Sequence, residues 1–149
     1  MNLNQEVELL KGVPIFSKVE PAKLKLLAFT SERLSFGEGQ ELFHQGDQGD
    51  AMYVILSGAA DVLIDTPGGP IAVAELKRNG FVGEIAILCD VPRTATIKAK
   101  EPLTTLKISK DMFYRLVAEF PQMAIEIMRE LAHRLEDTNQ KLRAATKAA

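Results

Sequence analysis

Cysteine and histidine are scarce in this sequence, with one Cys and two His among 149 residues. The single Cys89 cannot close an internal disulfide, which fits a reducing cytoplasm. It reads as a small buried apolar residue, and the several cysteines of an iron–sulfur centre are absent. His44 and His133 stand far apart and read as surface or turn residues, because a metal-dependent enzyme needs several ligands converging on one site. No Ser-His-Asp or Cys-His set is visible, so neither enzyme activity nor a metal or other cofactor is expected. An excess of basic charge is also missing. The formal net charge is −2, and Lys141, Arg143 and Lys147 near the C-terminus are too few to form a nucleic-acid patch. No run approaches the ~18 apolar residues of a membrane span. The N-terminus carries Glu6 and Glu8 without a basic stretch, unlike a signal peptide. By this chain alone, neither nucleic acid nor membrane is an expected partner.

What is present describes an ordinary globular domain. Apolar residues make up 46% and charged residues 26%, and the length suffices for one domain with a real core. Leu3, Val7, Leu9 and Leu10 give a weak helical pattern, and Pro21 at a first helical position opens a second short helix through Leu24, Leu27 and Ala28. From Arg33 to Ser109 the character changes. Met52–Leu56, Val62–Ile64, Ile71–Leu76, Ala95–Ala99 and Leu103–Ile108 are β-rich and separated by Gly and Pro turn signals, which predicts an antiparallel sandwich or barrel. Thr66-Pro67-Gly68-Gly69-Pro70 reads as an exposed hairpin tip. Ser109 is a plausible N-cap for a helix through Met112, Phe113, Leu116 and Val117, and Phe120-Pro121 interrupts it. A longer helix is expected from about Gln122 to Arg143, roughly 30–35 Å long at 1.5 Å per residue. Ala124, Met128, Leu131, Leu135, Thr138 and Leu142 form a heptad seam on it, and Met123 and Ile127 a second apolar face. One face can pack on its own domain and the other on a partner helix.

The stretch Phe81–Thr96, FVGEIAILCDVPRTAT, carries the most chemistry. Gly83 lets backbone approach a ligand without a Cβ in the way. The amides of Ile85 and Ala86 can open a short helical turn whose free N–H groups bind an anion. The planar fork of Arg93 suits phosphate oxygens. Glu84 accepts hydrogen bonds only, so it implies a donor on the ligand such as a ribose hydroxyl. An anion beside a hydroxyl describes a nucleotide.

This run resembles the phosphate-binding cassette of cyclic nucleotide-binding domains, the family of bacterial catabolite activators, protein kinase regulatory subunits and cyclic-nucleotide-gated channels. The likeness runs without a gap from Gly83-Glu84-Ile85-Ala86 to Pro92-Arg93-Thr94-Ala95-Thr96. A second block matches upstream, in Gly46-Asp47-Gln48-Gly49-Asp50, Met52-Tyr53-Val54-Ile55-Leu56 and Gly58. The resemblance implies an α+β domain over 1–149: N-terminal helices in 1–32, an eight-stranded antiparallel β jelly-roll barrel in 33–109 with the cassette at 81–96, and a hinge helix plus long lid helix in 110–149. It implies cAMP or cGMP on the cassette amides and Arg93, with Thr94 and Ala95 beside it and Glu84 on the 2′-hydroxyl. Val73 and Val82 would line the sugar and base. Arg134, Thr138 and Asn139 lie where catabolite activators have an arginine and a Thr-Ser pair approaching the base, with Asn in place of Ser. That lid favours cAMP over cGMP, while the Thr94 hydroxyl resembles cGMP-preferring members. Ile87 would couple the cassette to a hinge near Phe113 and Phe120-Pro121, and the long helix would form a homodimer. The expected function is a cytoplasmic regulatory sensor. The alternative is an interaction module of the same fold that has lost its nucleotide. The chain ends about where a winged helix-turn-helix would begin in a transcription factor.

Overall fold

The computed structural model describes residues 2–148, with side chains described to Thr146. Met1, Ala149 and the Lys147 side chain, which the readings above include, lie outside the described residues.

Helix α1 (Leu3–Lys11) starts at Asn2, whose side chain accepts from the Gln5 amide while Gln5 reaches back to the Asn2 amide. That reciprocal cap satisfies two otherwise orphaned donors. A single 3₁₀ turn (Pro14–Phe16) follows, and α2 (Pro21–Thr30) begins on its proline as expected. Eight strands come next, with α3 between the sixth and seventh: β1 (Glu32–Phe36), β2 (Glu41–Phe43), β3 (Ala51–Ser57), β4 (Ala60–Thr66), β5 (Gly69–Leu76), β6 (Phe81–Val82), α3 (Glu84–Cys89), β7 (Thr96–Ala99) and β8 (Leu103–Ser109). The chain closes with α4 (Lys110–Glu119) and α5 (Pro121–Ala148).

Every strand pair is antiparallel, and the eight strands form two four-stranded sheets, β1-β8-β3-β6 and β2-β7-β4-β5. This corrects the expected barrel: no ladder among the described residues joins β6 to β5 or β1 to β2, so the sheets face each other unclosed. The Pro67-Gly68 turn joins β4 to β5, with Thr66 paired to Gly69, at the expected hairpin tip.

Strand β3 explains the architecture. Its residues Ala51–Leu56 are all buried, because the strand separates two cores. Met52, Val54 and Leu56 face a helical layer containing Leu10, Phe16, Leu24, Phe113 and Ile127. Tyr53 and Ile55 point the other way, into the space between the sheets with Leu42, Ala60, Ile97 and Leu103. A strand covered on both faces needs a continuous apolar run rather than alternation, as Met52–Leu56 supplies.

Ser109 caps α4 by accepting from the Met112 amide at 3.2 Å. The helix stops at Phe120, whose φ −127° and ψ 79° leave the helical region before Pro121. Helix α5 then runs to Ala148, past the expected Arg143. Its inner face is Met123 and Ile127, as expected. The heptad seam is corrected in one place, since Leu131 packs on the domain's own core; Thr138 stays exposed and donates to the Arg134 carbonyl. The apolar face left in solvent is Ile125, Met128, Leu135 and Leu142, 48–62% exposed.

Candidate functional site

The two sequence blocks, some forty residues apart, are laced together by backbone. The Gly46 amide donates to the Arg93 carbonyl and the Arg93 amide to the Asp47 carbonyl, both at 2.8 Å. The Gln45 amide donates to Thr96 Oγ1, also at 2.8 Å. These bonds bring the turn before β3 against the segment that leads into β7.

Gly83 is the N-cap of α3, with φ 96° and no side-chain cap. Any Cβ there would meet Arg93 Nη1 at 2.7 Å and the Ala51 carbonyl at 3.0 Å, so conformation and space both require glycine. The amides opening α3 therefore have no side-chain acceptor at the cap.

Arg93 is 5% exposed. Its Nη1 donates to the Gly83 carbonyl at 3.1 Å and its Nη2 to the Ala51 carbonyl at 2.8 Å, while Nε is buried without a partner. It makes no ion pair among the described residues. Burial lowers its pKa, opposed by the fields of Tyr53, Asp50, Asp47 and Glu84, yet an arginine stays cationic at any ordinary pH. A buried, unneutralised cation is costly unless an anion completes it.

Glu84 is 1% exposed, and burial raises its pKa against the lowering influence of Arg134. Its Oε1 accepts from Arg134 Nη1 at 2.9 Å, and its Oε2 is buried with no partner. Arg134 also donates to the Phe81 carbonyl at 2.7 Å and to Glu130 at 3.3 Å, with its guanidinium carbon 4.7 Å from the Phe81 ring centre. A buried carboxylate attracts the cation in reach, and Arg134, expected to approach a base, is paired here with Glu84. Glu84 and Arg93 form no ion pair with each other.

The remaining expected residues divide. Ala86 and Ala95 are buried in the cassette, while Ile85 (40%) and Thr94 are exposed. Val82 is half-buried against the inter-sheet cluster. Val73, 42% exposed on edge strand β5, is the extra residue of a bulge, since Val62 pairs with Ala74 and Leu63 with Ala72. Thr138 is exposed and Asn139 half-buried, and no hydrogen bond joins either to the cassette among the described residues. Cys89 is exposed, contrary to its expected burial, because only Glu84, Ala86 and Ile87 of α3 face inward. His44 and His133 are exposed as expected, and a 3.0 Å hydrogen bond to Glu41, helped by its charge, raises the His44 pKa. Ile87 and Phe113 share one buried cluster, and Tyr114 donates to the Ile87 carbonyl at 3.0 Å.

Sequence reasoning missed Phe43 and the role of Gly49. The Phe43 ring lies 4.0 Å from the Arg93 guanidinium carbon, and a Cβ on Gly49 would meet Arg93 Nε at 2.6 Å. Gly49 stood in the matched upstream block without a role, and Phe43 gave no signal. Two grooves of about 250 and 290 Å³ flank the 3₁₀ turn, one lined by Phe120 and Met123 and the other by Phe81 and His133; neither includes Glu84 or Arg93. Among the described residues no group of three or more His, Cys, Asp or Glu could hold a metal.

A profile of the cyclic nucleotide-binding domain matches residues 33–120. The chain is 37% identical over 109 residues to the cAMP-dependent protein kinase regulatory subunit of Blastocladiella emersonii, covering 72% of this chain and 27% of that protein. It is 30% identical over 122 residues to lysophospholipase nte1 of Neosartorya fischeri, covering 81% of this chain but 8% of the enzyme. Among solved structures it resembles the Thermus thermophilus catabolite activator protein, with TM-score 0.78, 26% identity, and coverage of 89% of this chain and 63% of that one. The chain thus spans about a quarter of the kinase subunit and less than a tenth of the lipase.

Proposed function

The chain belongs to the cyclic nucleotide-binding domain family, and from that premise we propose that residues 1–149 act as one sensor domain for cAMP in preference to cGMP, coupling the ligand to α5. One observation carries the reading: Arg93 is a buried cation with no carboxylate partner among the described residues and an unpartnered Nε, and nearby Glu84 is a buried carboxylate with one free oxygen. A ligand that presents an anion and a hydroxyl satisfies both groups. In this reading the cyclic phosphate meets Arg93 and the amides of Ile85 and Ala86, with Thr94 and Ala95 at its edge. The 2′-hydroxyl donates to Glu84 Oε2, which Arg134 holds in place through Oε1. Val82 and Val73 flank the sugar and base, and Thr138 and Asn139 approach the base from α5.

The preference for cAMP rests on the likeness of the α5 positions to the adenine-contacting helix of catabolite activators, and the Thr94 hydroxyl opposes it. Coupling to α5 runs through two contacts: Arg134 to Glu84 and Phe81, and Ile87 to α4 beside the break at Phe120. Binding in this reading is a shift of population between arrangements of α5, without bond chemistry. The exposed face through Met128, Leu135 and Leu142 supports a homodimer across α5, because such a row is poorly tolerated in water. No described helix is long and apolar enough to cross a membrane. Calorimetric titration with cAMP and cGMP tests the reading. Saturable binding with cAMP tighter is expected, a tenfold preference for cGMP reverses the selectivity, and no binding of either ends the proposal in favour of the interaction module.

A further inference from the structure

A buried guanidinium must be held in one orientation, and the ordinary way to hold it is a carboxylate. A carboxylate would also neutralise it, leaving little charge for an incoming anion. Arg93 is held differently. Two of its N–H groups go to the backbone carbonyls of Gly83 and Ala51, which fix the plane without contributing a formal charge. The backbone of Gly49 closes on the group so tightly that a Cβ would come within 2.7 Å of the guanidinium carbon. The Phe43 ring stands 4.0 Å from that same carbon. The ring is itself braced by Tyr53, with centroids 5.9 Å apart and planes tilted by 39°. Phe43 ends β2 immediately after an irregularity at Leu42: Glu41 pairs with Lys98 and Phe43 with the adjacent Ile97. Irregularities of this kind re-aim side chains.

We propose that Phe43 is the positioning residue for Arg93: its ring supports the guanidinium face while leaving the positive charge available to the cyclic phosphate. This rests on the nucleotide reading above. The quadrupole of an aromatic ring attracts a cation without cancelling its charge, and the attraction grows when water is excluded. The ring therefore lowers the cost of keeping Arg93 buried and ready. A leucine would fill similar space and lack the π face; a tyrosine would keep it.

The test is calorimetric titration of the full chain with cAMP in five forms: wild type, Phe43→Leu, Phe43→Tyr, Arg93→Ala, and Phe43→Leu with Arg93→Ala. Phe43→Leu should weaken binding about 3- to 30-fold, Phe43→Tyr should stay within about twofold of wild type, and the leucine should cost nothing more once Arg93 is gone. Equal losses from Phe43→Leu with and without Arg93 overturn the proposal, since the ring would then act on the nucleotide or the sheet alone. So does a Phe43→Tyr protein as impaired as Phe43→Leu, and this arm decides the matter where Arg93→Ala binds too weakly to titrate. A wild-type chain that binds neither cAMP nor cGMP removes the nucleotide reading and the positioning role with it. Additive losses in a chain that does bind remove the positioning role alone.

Discussion

Two arginines in this molecule lie over two phenylalanines, Arg93 over Phe43 and Arg134 over Phe81; Arg93 donates to two backbone carbonyls and Arg134 to one. Their electrostatic states differ. Arg134, on α5, is one-third exposed and paired with both Glu84 and Glu130. Arg93, between the two sequence blocks, is 5% exposed and paired with no carboxylate among the described residues. The first arrangement is a closed contact that fastens a helix to the cassette. The second is an open one that a ligand can complete. The same residue types make a closed contact or an open one according to whether an acid is supplied by the protein.

The strongest way to break this contrast is to truncate the two arginines in parallel. Arg93→Ala removes the partner of a desolvated anion, a loss of ~2–5 kcal/mol or about 30- to 3,000-fold in the dissociation constant for cAMP. Arg134→Ala should cost less, because its effect reaches the nucleotide only through the placement of Glu84. Calorimetry that shows Arg93→Ala within about threefold of wild type, or Arg134→Ala as the larger loss, reverses the assignment of roles.

Glu84 sits between the two states, one oxygen taken and one free, and its free oxygen should read the ribose. A 2′-deoxy ligand leaves that oxygen desolvated, costing roughly 1–3 kcal/mol. The comparison of cAMP with its 2′-deoxy analogue should therefore shrink sharply in Glu84→Ala. Equal discrimination by wild type and variant would sink the role.

A weaker effect on nucleotide affinity is expected at the outer face of α5, where Leu135 is 62% exposed. Leu135→Lys should turn a dimer into a monomer in sedimentation at micromolar concentration while leaving cAMP binding largely intact. A wild-type chain that already sediments as a monomer removes the dimer from the proposal.

The smallest effect concerns pH. Burial raises the folded-state pKa of Glu84 above its unfolded value, so its contribution to stability is fully present below the unfolded pKa and is lost as pH rises through the folded one. At neutral pH the ionised, half-satisfied carboxylate is a cost in the ligand-free chain. Glu84→Gln should melt slightly higher than wild type at neutral pH, and the gap should narrow as pH falls through the raised pKa and be closed by about 4.3. Thermal melts in which the gap widens on acidification contradict this account.

Much of this was legible from local chemistry. Pro21, Ser109 and Phe120-Pro121 placed helix boundaries because caps and prolines act within one turn. The run Met52–Leu56 announced β3, and the two Gly-containing blocks announced the cassette. Strands β1, β2 and β6 went unread, since two to five residues with polar interruptions carry no measurable period. Contacts between distant segments were also invisible. The Arg134–Glu84 pair spans 50 positions, and which apolar residues of α5 turn inward depends on where the body of the domain lies. Cys89 was misplaced because residue type alone says little about a six-residue helix with one inward face.

Gly49 gives a final consequence. Its missing side chain leaves the space that the Arg93 guanidinium fills, and a Cβ there would also meet Ala86 Cβ at 2.8 Å. Positions 49 and 93 therefore cannot drift independently. A descendant of this chain that keeps its arginine must keep its glycine, whereas one that has lost the arginine has part of that restriction lifted. A bulky residue at position 49 would then serve as a written record that the anion site had been abandoned, readable from sequence before any ligand is tried.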